Sequence, residues 1–264
     1  MSKSFQGASK HTERKEFEIG SIANMRFLQF KSQYFQYKNI YVADVFCGTG
    51  RNVVEDELID GSPVRLMDGI SKANNSNIDV NYFFSDIRPD ACASLTKYLI
   101  QRFNQQIATH TMSAKDAVNM LGEILKRRSD IFLFLVLDPN GPKDFPRQEV
   151  CDLLKAFPKR VDVIPYISAT AVNRSIGARN TAGMQMNGYL GWIENFDDGF
   201  VSILTNHGRF GWIRKPLEND RQRWVIIPTY GCFKPRNDWQ KQGYIDLDTV
   251  EGRNIVKFYC GKFI

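Results

Sequence analysis

From Ile131 to Leu137 the chain reads Ile-Phe-Leu-Phe-Leu-Val-Leu, without a polar interruption. A strand with one face in water alternates apolar and polar residues. A uniformly apolar strand has to bury both faces, which is the condition of a central strand in a parallel sheet covered by helices. The run is far shorter than the ~20 residues that span a bilayer, and it stops at Asp138-Pro139-Asn140-Gly141, a turn-forming sequence. The rest of the chain must therefore provide neighbouring parallel strands and the helices that connect them.

Segments of that kind surround it. Asn39 to Phe46 is a β-rich run that ends in Cys47-Gly48-Thr49-Gly50, and Val80 to Phe84 is a second strand, ended by Asp86. Gln106 to Met112 carries a weak third signal, and Val161 to Ile167 follows the apolar run as a fifth strand. Between them, apolar spacing and start signals predict helices. The first runs from Ile22 to Tyr37. The second opens at Ser62-Pro63, with serine as N-cap and proline at the first helical position. Pro89 to Phe103, Ala117 to Lys126 and Arg147 to Phe157 are the others. Arg51 to Gly61 is polar and reads as a loop. Trp212 to Lys215, Arg223 to Thr229 and Asn254 to Phe258 read as further strands, the last two as an antiparallel edge hairpin. The five alternating strands and this hairpin make the expected α/β fold: a doubly wound, mostly parallel, seven-stranded, Rossmann-like sheet.

With 264 residues, 43% of them hydrophobic and 24% charged, the chain can build one such core, and disorder, collagen and coiled coil are excluded. No linker interrupts it, so residues 19–264 are expected as one domain behind a loose, charged arm of residues 1–18. Cys47, Cys92, Cys151, Cys232 and Cys260 include no CxxC pair, and the histidines are scattered, so no metal site is expected. Scattered, odd-numbered cysteines without an apolar leader suit reduced thiols in the cytoplasm. Lys and Arg total 35 against 29 Asp and Glu, a formal net charge of +6, which suits an acidic partner such as nucleic acid.

In a doubly wound sheet, ligands bind beyond the carboxyl ends of the strands. Three such ends are distinctive here: Asp44-Val45-Phe46-Cys47-Gly48-Thr49-Gly50, Ser85-Asp86-Ile87 and Asp138-Pro139-Asn140-Gly141. Glycines after the first strand let a ligand approach the backbone. An acid at the end of the second can accept both ribose hydroxyls, and Ile87 can cover an adenine face. Gly48 and Gly50 lack the third glycine of a dinucleotide fingerprint, and no GxxxxGK[ST] loop is present. The pattern specifies a ligand with adenosine but no pyrophosphate.

These motifs, in this order, resemble those of class I S-adenosylmethionine-dependent methyltransferases over about residues 38–260. The resemblance implies that Asp44, Phe46, Gly48 and Gly50 line the methionine part of the cofactor. Cys47, in the same turn, counts with these cofactor-binding residues, as a small packing side chain rather than a nucleophile. It implies that Asp86 holds the ribose and that Ser113 to Asp116 reach the adenine, Asp116 above all. Gly61-Ser62-Pro63, Asp138-Pro139-Asn140-Gly141 and Asn173-Arg174 also resemble motifs of the three-Cys-motif partner protein family, itself methyltransferase-like.

Amino-methylating DNA and RNA enzymes carry [D/N/S]PP[Y/F] at the fourth strand end, where the acid or amide and a proline carbonyl accept hydrogen bonds from the target amino group and the aromatic stacks on the flipped base. Here Asp138 and Pro139 stand in the first two places, Asn140 and Gly141 replace the second proline and the aromatic, and Phe145 lies four residues beyond the usual stacking position. Asp138 is the candidate to orient or deprotonate the nucleophile. Arg209, Arg214 and Arg221, interleaved with Phe210, Trp212 and Trp224, suit single-stranded or flipped nucleic acid. The expectation is a methyltransferase acting on nucleic acid, DNA ahead of RNA and adenine N6 ahead of other atoms. RNA or small-molecule methylation, and a catalytically silent subunit that binds a protein partner, stay open.

Overall fold

The computed structural model describes residues 7–8, 10–31, 35–73, 78–139 and 144–168, and beyond them 210–214, 224–226, 229–230, 238–241, 243–246, 249–252 and 254. The order is β1 (Gly7–Ala8), α1 (Lys10–Phe30), β2 (Asn39–Asp44), β3 (Arg51–Val54), β4 (Glu57–Asp60), α2 (Ser62–Ala73), β5 (Asp79–Asp86), α3 (Pro89–Phe103), β6 (Thr109–Thr111), α4 (Ala114–Arg127) and β7 (Ile131–Leu137). It continues α5 (Arg147–Ala156), β8 (Val161–Ser168), β9 (Phe210–Arg214), β10 (Trp224–Ile226), β11 (Thr229–Tyr230), α6 (Asp238–Lys241) and β12 (Tyr244–Asp246).

Six strands form the main sheet in the order β10-β8-β7-β2-β5-β6. All seven side chains of β7 are buried, as an uninterrupted apolar run requires. The chain divides into two units, Met1–Ala117 with Lys126–Leu133, and Val118–Leu125 with Phe134–Ile264, so the division passes through β7 itself.

In the first unit β2 runs parallel to β5, with Asn39 opposite Asp79 and Asp44 opposite Phe84. β5 runs parallel to β6, with Asp86 opposite Thr111. The crossover helices α2 and α3 have the apolar faces that such connections need. α1 lies against α2 with backbone nearly touching backbone: a Cβ on Gly69 would fall 2.2 Å from the Gly20 carbonyl oxygen, and one on Gly20 would fall 2.9 Å from that of Arg65. Asn24 Nδ2 donates to the Gly69 carbonyl at 3.0 Å, which fixes the crossing.

This unit differs from the sequence expectation in two places. The first helix runs from Lys10 to Phe30 rather than from Ile22 to Tyr37. Its early turns are anchored by polar contacts that apolar spacing does not register: Asn52 Nδ2 donates to buried Glu16 at 3.2 Å, and Arg14 Nε donates to Glu18 at 3.3 Å. Residues 51–61 are not a plain loop. They contain the antiparallel hairpin β3–β4, turned by Glu55 and Asp56 in the left-handed region, φ 47° and 69°. Two consecutive positive φ values match the twist of a two-residue hairpin, which usually recruits Asn-Gly; Glu-Asp in that place hides the turn from inspection.

In the second unit β10 pairs antiparallel with β8, Trp224 opposite Ser168 and Ile226 opposite Tyr166. β9 pairs antiparallel with β11 and with β12 in a separate three-stranded sheet. The seven expected strands are therefore not one sheet, and the expected edge hairpin is replaced: Trp224–Ile226 pairs with β8. Asn254 is helical, as are residues 250–252, because Thr249 Oγ1 accepts the Gly252 N–H at 3.0 Å and starts a helical turn. The remainder of the stretch to Phe258 lies outside the described residues. No described helix is long and apolar enough to cross a membrane.

Candidate functional site

The carboxyl ends of β2, β5 and β6 carry the residues singled out above, and all three belong to the first unit. After β2 the chain must turn sharply, and Gly48 (φ 56°) and Gly50 (φ 73°) take left-handed conformations that a side chain would strain. Gly50 has a second reason to be glycine, since a Cβ there would lie 2.4 Å from Leu95 Cδ1. Its carbonyl accepts the Gly61 N–H at 2.8 Å, so the hairpin β3–β4 loops out between two residues whose backbones touch, and α2 follows Gly61 as though it followed Gly50.

Asp44 is 0% exposed. Its Oδ1 accepts the Phe46 N–H at 3.0 Å, and its Oδ2 accepts the Ser62 hydroxyl at 2.5 Å. The carboxylate therefore ties the glycine turn to the first residue of α2. Ser62, expected as the helix N-cap, is instead the first helical residue: Gly61 takes the cap position, its carbonyl accepting the Arg65 N–H at 3.0 Å, and the Ser62 hydroxyl reaches back to β2 by way of the Gly50–Gly61 contact, for which the sequence holds no local signal. Phe46 is half-buried and Cys47 is buried, its N–H donating to the Ser85 carbonyl at 3.0 Å. A hydrogen bond with the Cys92 thiol, then burial and the nearby Asp44 and Asp86 carboxylates hold the Cys47 thiol well above the ordinary range, so it stays protonated near neutral pH. Iodoacetamide at mildly alkaline pH is therefore expected to leave Cys47 unmodified in the folded protein, by peptide mass mapping. Rapid, complete alkylation there would contradict the packing role.

Asp86 joins the two strand ends. It is 6% exposed. Its Oδ2 accepts the Gly48 N–H at 3.1 Å, and its Oδ1 accepts the Arg88 N–H at 2.9 Å, an Asx turn that leads into α3 at Pro89. The Arg88 guanidinium closes on the same carboxylate, Nε to Oδ1 at 3.1 Å and Nη2 to Oδ2 at 3.5 Å. Ile87, between them, is 70% exposed, a large apolar side chain presented to solvent beside a buried acid. The Asp86 carbonyl accepts the Met112 N–H at 3.1 Å, which brings the loop after β6 alongside. There Ser113 caps α4: its Oγ accepts the Asp116 N–H at 3.1 Å and donates to Asp116 Oδ2 at 2.6 Å. Gly48, Asp86, Ile87, Ser113 and Asp116 are thus linked through one set of strand ends. Arg88 is not among the site residues expected from the sequence, although Asp-Ile-Arg-Pro announces an Asx turn ahead of a helix and places an arginine at its close.

In the second unit Asp138 follows β7 directly and is half-buried, and Pro139 is buried. Phe145 is half-buried just before α5, its carbonyl accepting the Arg147 N–H at 2.8 Å. Arg214 ends β9, opposite Tyr244 of β12. Asn140, Asn173, Arg174, Arg209 and Arg221 lie outside the described residues. Among the described residues no group of three His, Cys, Asp or Glu could hold a metal ion.

No family model matches the sequence, and no curated protein matches it. Solved structures do match in fold. Protein LPL1258 of Legionella pneumophila, a DUF519 protein, is similar with a TM-score of 0.52 at 12% identity, over 94% of this chain and 92% of that one. An rRNA methylase from Streptococcus thermophilus is similar with a TM-score of 0.40 at 7% identity, over 85% of this chain and 98% of that one. Magnesium protoporphyrin IX methyltransferase from Synechocystis, solved with bound S-adenosylmethionine, gives 0.42 at 12% identity, over 83% and 81%. The strand order, with parallel β2, β5 and β6 and antiparallel β10 beside β8, makes this a Rossmann-like α/β fold.

Proposed function

We propose that this chain is an S-adenosylmethionine-dependent methyltransferase acting on nucleic acid. The observation that carries the reading is the union of the glycine turn with the acid of the next strand: the Gly48 N–H donates to Asp86, beside the exposed Ile87. The residues fit an adenosine ligand. Among the described residues beyond its chain neighbours, Arg88 Nη2, at 3.9 Å, is the one atom within 4 Å of the place where a Gly48 side chain would stand, so apart from that one side chain the approach to the backbone is open. Asp86 would receive the ribose hydroxyls, Ile87 would cover one adenine face, and Ser113 and Asp116 would border the other end of the base. The turn from Phe46 to Gly50, braced by Asp44 and Ser62, would face the methionine part.

Bound S-adenosylmethionine supplies a methyl group already activated by its sulfonium. The protein then has to align the nucleophile with that methyl, and the alignment is most of the catalysis. Asp138, at the end of β7, and the Pro139 carbonyl offer two acceptors for an exocyclic amino group, which makes adenine N6 in DNA the leading acceptor. RNA is the second reading, resting on the same pair of acceptors. The net charge of +6 favours either polyanion.

Transfer of a tritiated methyl group to DNA, RNA and bulk protein tests the reading. Label is expected in DNA. Asp138→Ala is expected to lower the rate by about 10²–10⁴-fold, the usual worth of a positioned general base. Label in none of the three polymers would end the nucleic-acid reading, and full activity in the Asp138 variant would remove Asp138 from the chemistry.

A further inference from the structure

Asp86 is saturated. An ionised carboxylate offers about four acceptor positions, two on each oxygen. Here Oδ1 accepts the Arg88 backbone N–H and Arg88 Nε, while Oδ2 accepts the Gly48 N–H and Arg88 Nη2. Two of these four donors belong to the backbone and keep the carboxylate in its orientation. The other two belong to a single side chain, and they fall one on each oxygen. A ribose diol asks for the same places, one hydroxyl to each carboxylate oxygen.

We propose that Arg88 is a specificity-determining latch: its guanidinium occupies the seat of the ribose diol on Asp86, and an adenosine ligand binds by exchanging with it. The inference rests on the cofactor reading given above. The side chain is placed for such an exchange. It is 41% exposed, so it can turn into solvent, whereas the Asp86 side chain is 8% exposed and held by the Gly48 amide. Arg88 Nη2 also lies 3.9 Å from the Cβ position of Gly48, so the guanidinium stands over the glycine turn that the ligand has to approach. When it leaves, the Gly48 and Arg88 backbone amides remain on the carboxylate, and the acid keeps its aim with one acceptor position open on each oxygen. The latch also selects: a ligand with a single hydroxyl leaves one position of Asp86 unfilled and recovers less of what the displaced guanidinium gave up.

The test is calorimetric titration of the full chain with S-adenosylhomocysteine, at low and at high sodium chloride, for the native protein, Arg88→Gln and Arg88→Lys, each first shown to be folded by circular dichroism. Removing a partly exposed ion pair, worth up to ~1 kcal/mol, is expected to tighten binding by roughly 5-fold in Arg88→Gln. Arg88→Lys, whose single ammonium lacks the two-pronged fork, is expected to fall between. Salt screens the native latch, so native affinity should rise with salt while that of Arg88→Gln should not. Equal or weaker binding by Arg88→Gln, with the native salt response unchanged, overturns the latch and leaves the cofactor reading standing. No heat from any of the three folded proteins overturns the cofactor reading, and the latch with it.

Discussion

Asp86→Ala is expected to weaken binding of S-adenosylmethionine by roughly 30- to 4,000-fold. The estimate follows from the acceptor positions. Two hydroxyl hydrogen bonds to a carboxylate contribute about 1.5–3 kcal/mol each. The Arg88 pair they displace offsets up to ~1 kcal/mol of that, which leaves about 2–5 kcal/mol. The loss has a second source in the same residue. Asp86 holds the Gly48 N–H at 3.1 Å and so joins the turn after β2 to the end of β5. Without it, the backbone that approaches the ligand is no longer fixed. Asp86→Asn separates the two effects, because its side-chain oxygen can still accept the Gly48 amide while the second oxygen becomes a donor. Isothermal titration should rank the native protein above Asp86→Asn, and Asp86→Asn above Asp86→Ala. Native affinity in Asp86→Ala would remove the acid from the site.

The largest expected effect on stability lies elsewhere, at Phe132 in β7. Its ring is 0% exposed and meets three others: Phe30 with centroids 5.3 Å apart, Phe35 at 5.4 Å and Tyr37 at 5.5 Å. Phe30 and Phe35 also stack on each other at 4.1 Å. The cluster fastens the end of α1 and the segment that leads to β2 onto β7, so truncating its central ring leaves a void against three aromatic neighbours. Phe132→Ala is expected to destabilise the protein by about 3–5 kcal/mol, the range for truncating a buried phenylalanine. A denaturant titration measures the change as a lower midpoint with little change in slope. A loss below about 1 kcal/mol would show that the cluster repacks.

What could be read in the sequence follows the range of the forces involved. β7 was legible because an uninterrupted apolar run admits few environments, and its bounds agree with the structure, Ile131–Leu137. α3 was legible because Pro89 marks its start, and it runs Pro89–Phe103 as expected. The turn at Gly48 and Gly50 was legible as a glycine turn, and both residues take positive φ. The contacts that assemble the site were not. The Ser62 hydroxyl on Asp44 joins residues from separate elements, and nothing in Gly61-Ser62-Pro63 shows where the hydroxyl points. The helix crossing at Gly20 and Gly69 appears only when two backbones approach. Arg88 could have been flagged from Asp-Ile-Arg-Pro, but its hold on both oxygens of Asp86 is a matter of side-chain geometry.

The central claim is that the glycine turn and Asp86 form a seat for S-adenosylmethionine. Its most direct test is calorimetric titration of the intact chain with S-adenosylmethionine, repeated with Asp86→Ala. The account predicts saturable binding of one cofactor per chain that is lost or greatly weakened in the variant. A folded native protein that gives no binding heat at any cofactor concentration up to the millimolar range, and no protection of its melting temperature, would contradict it.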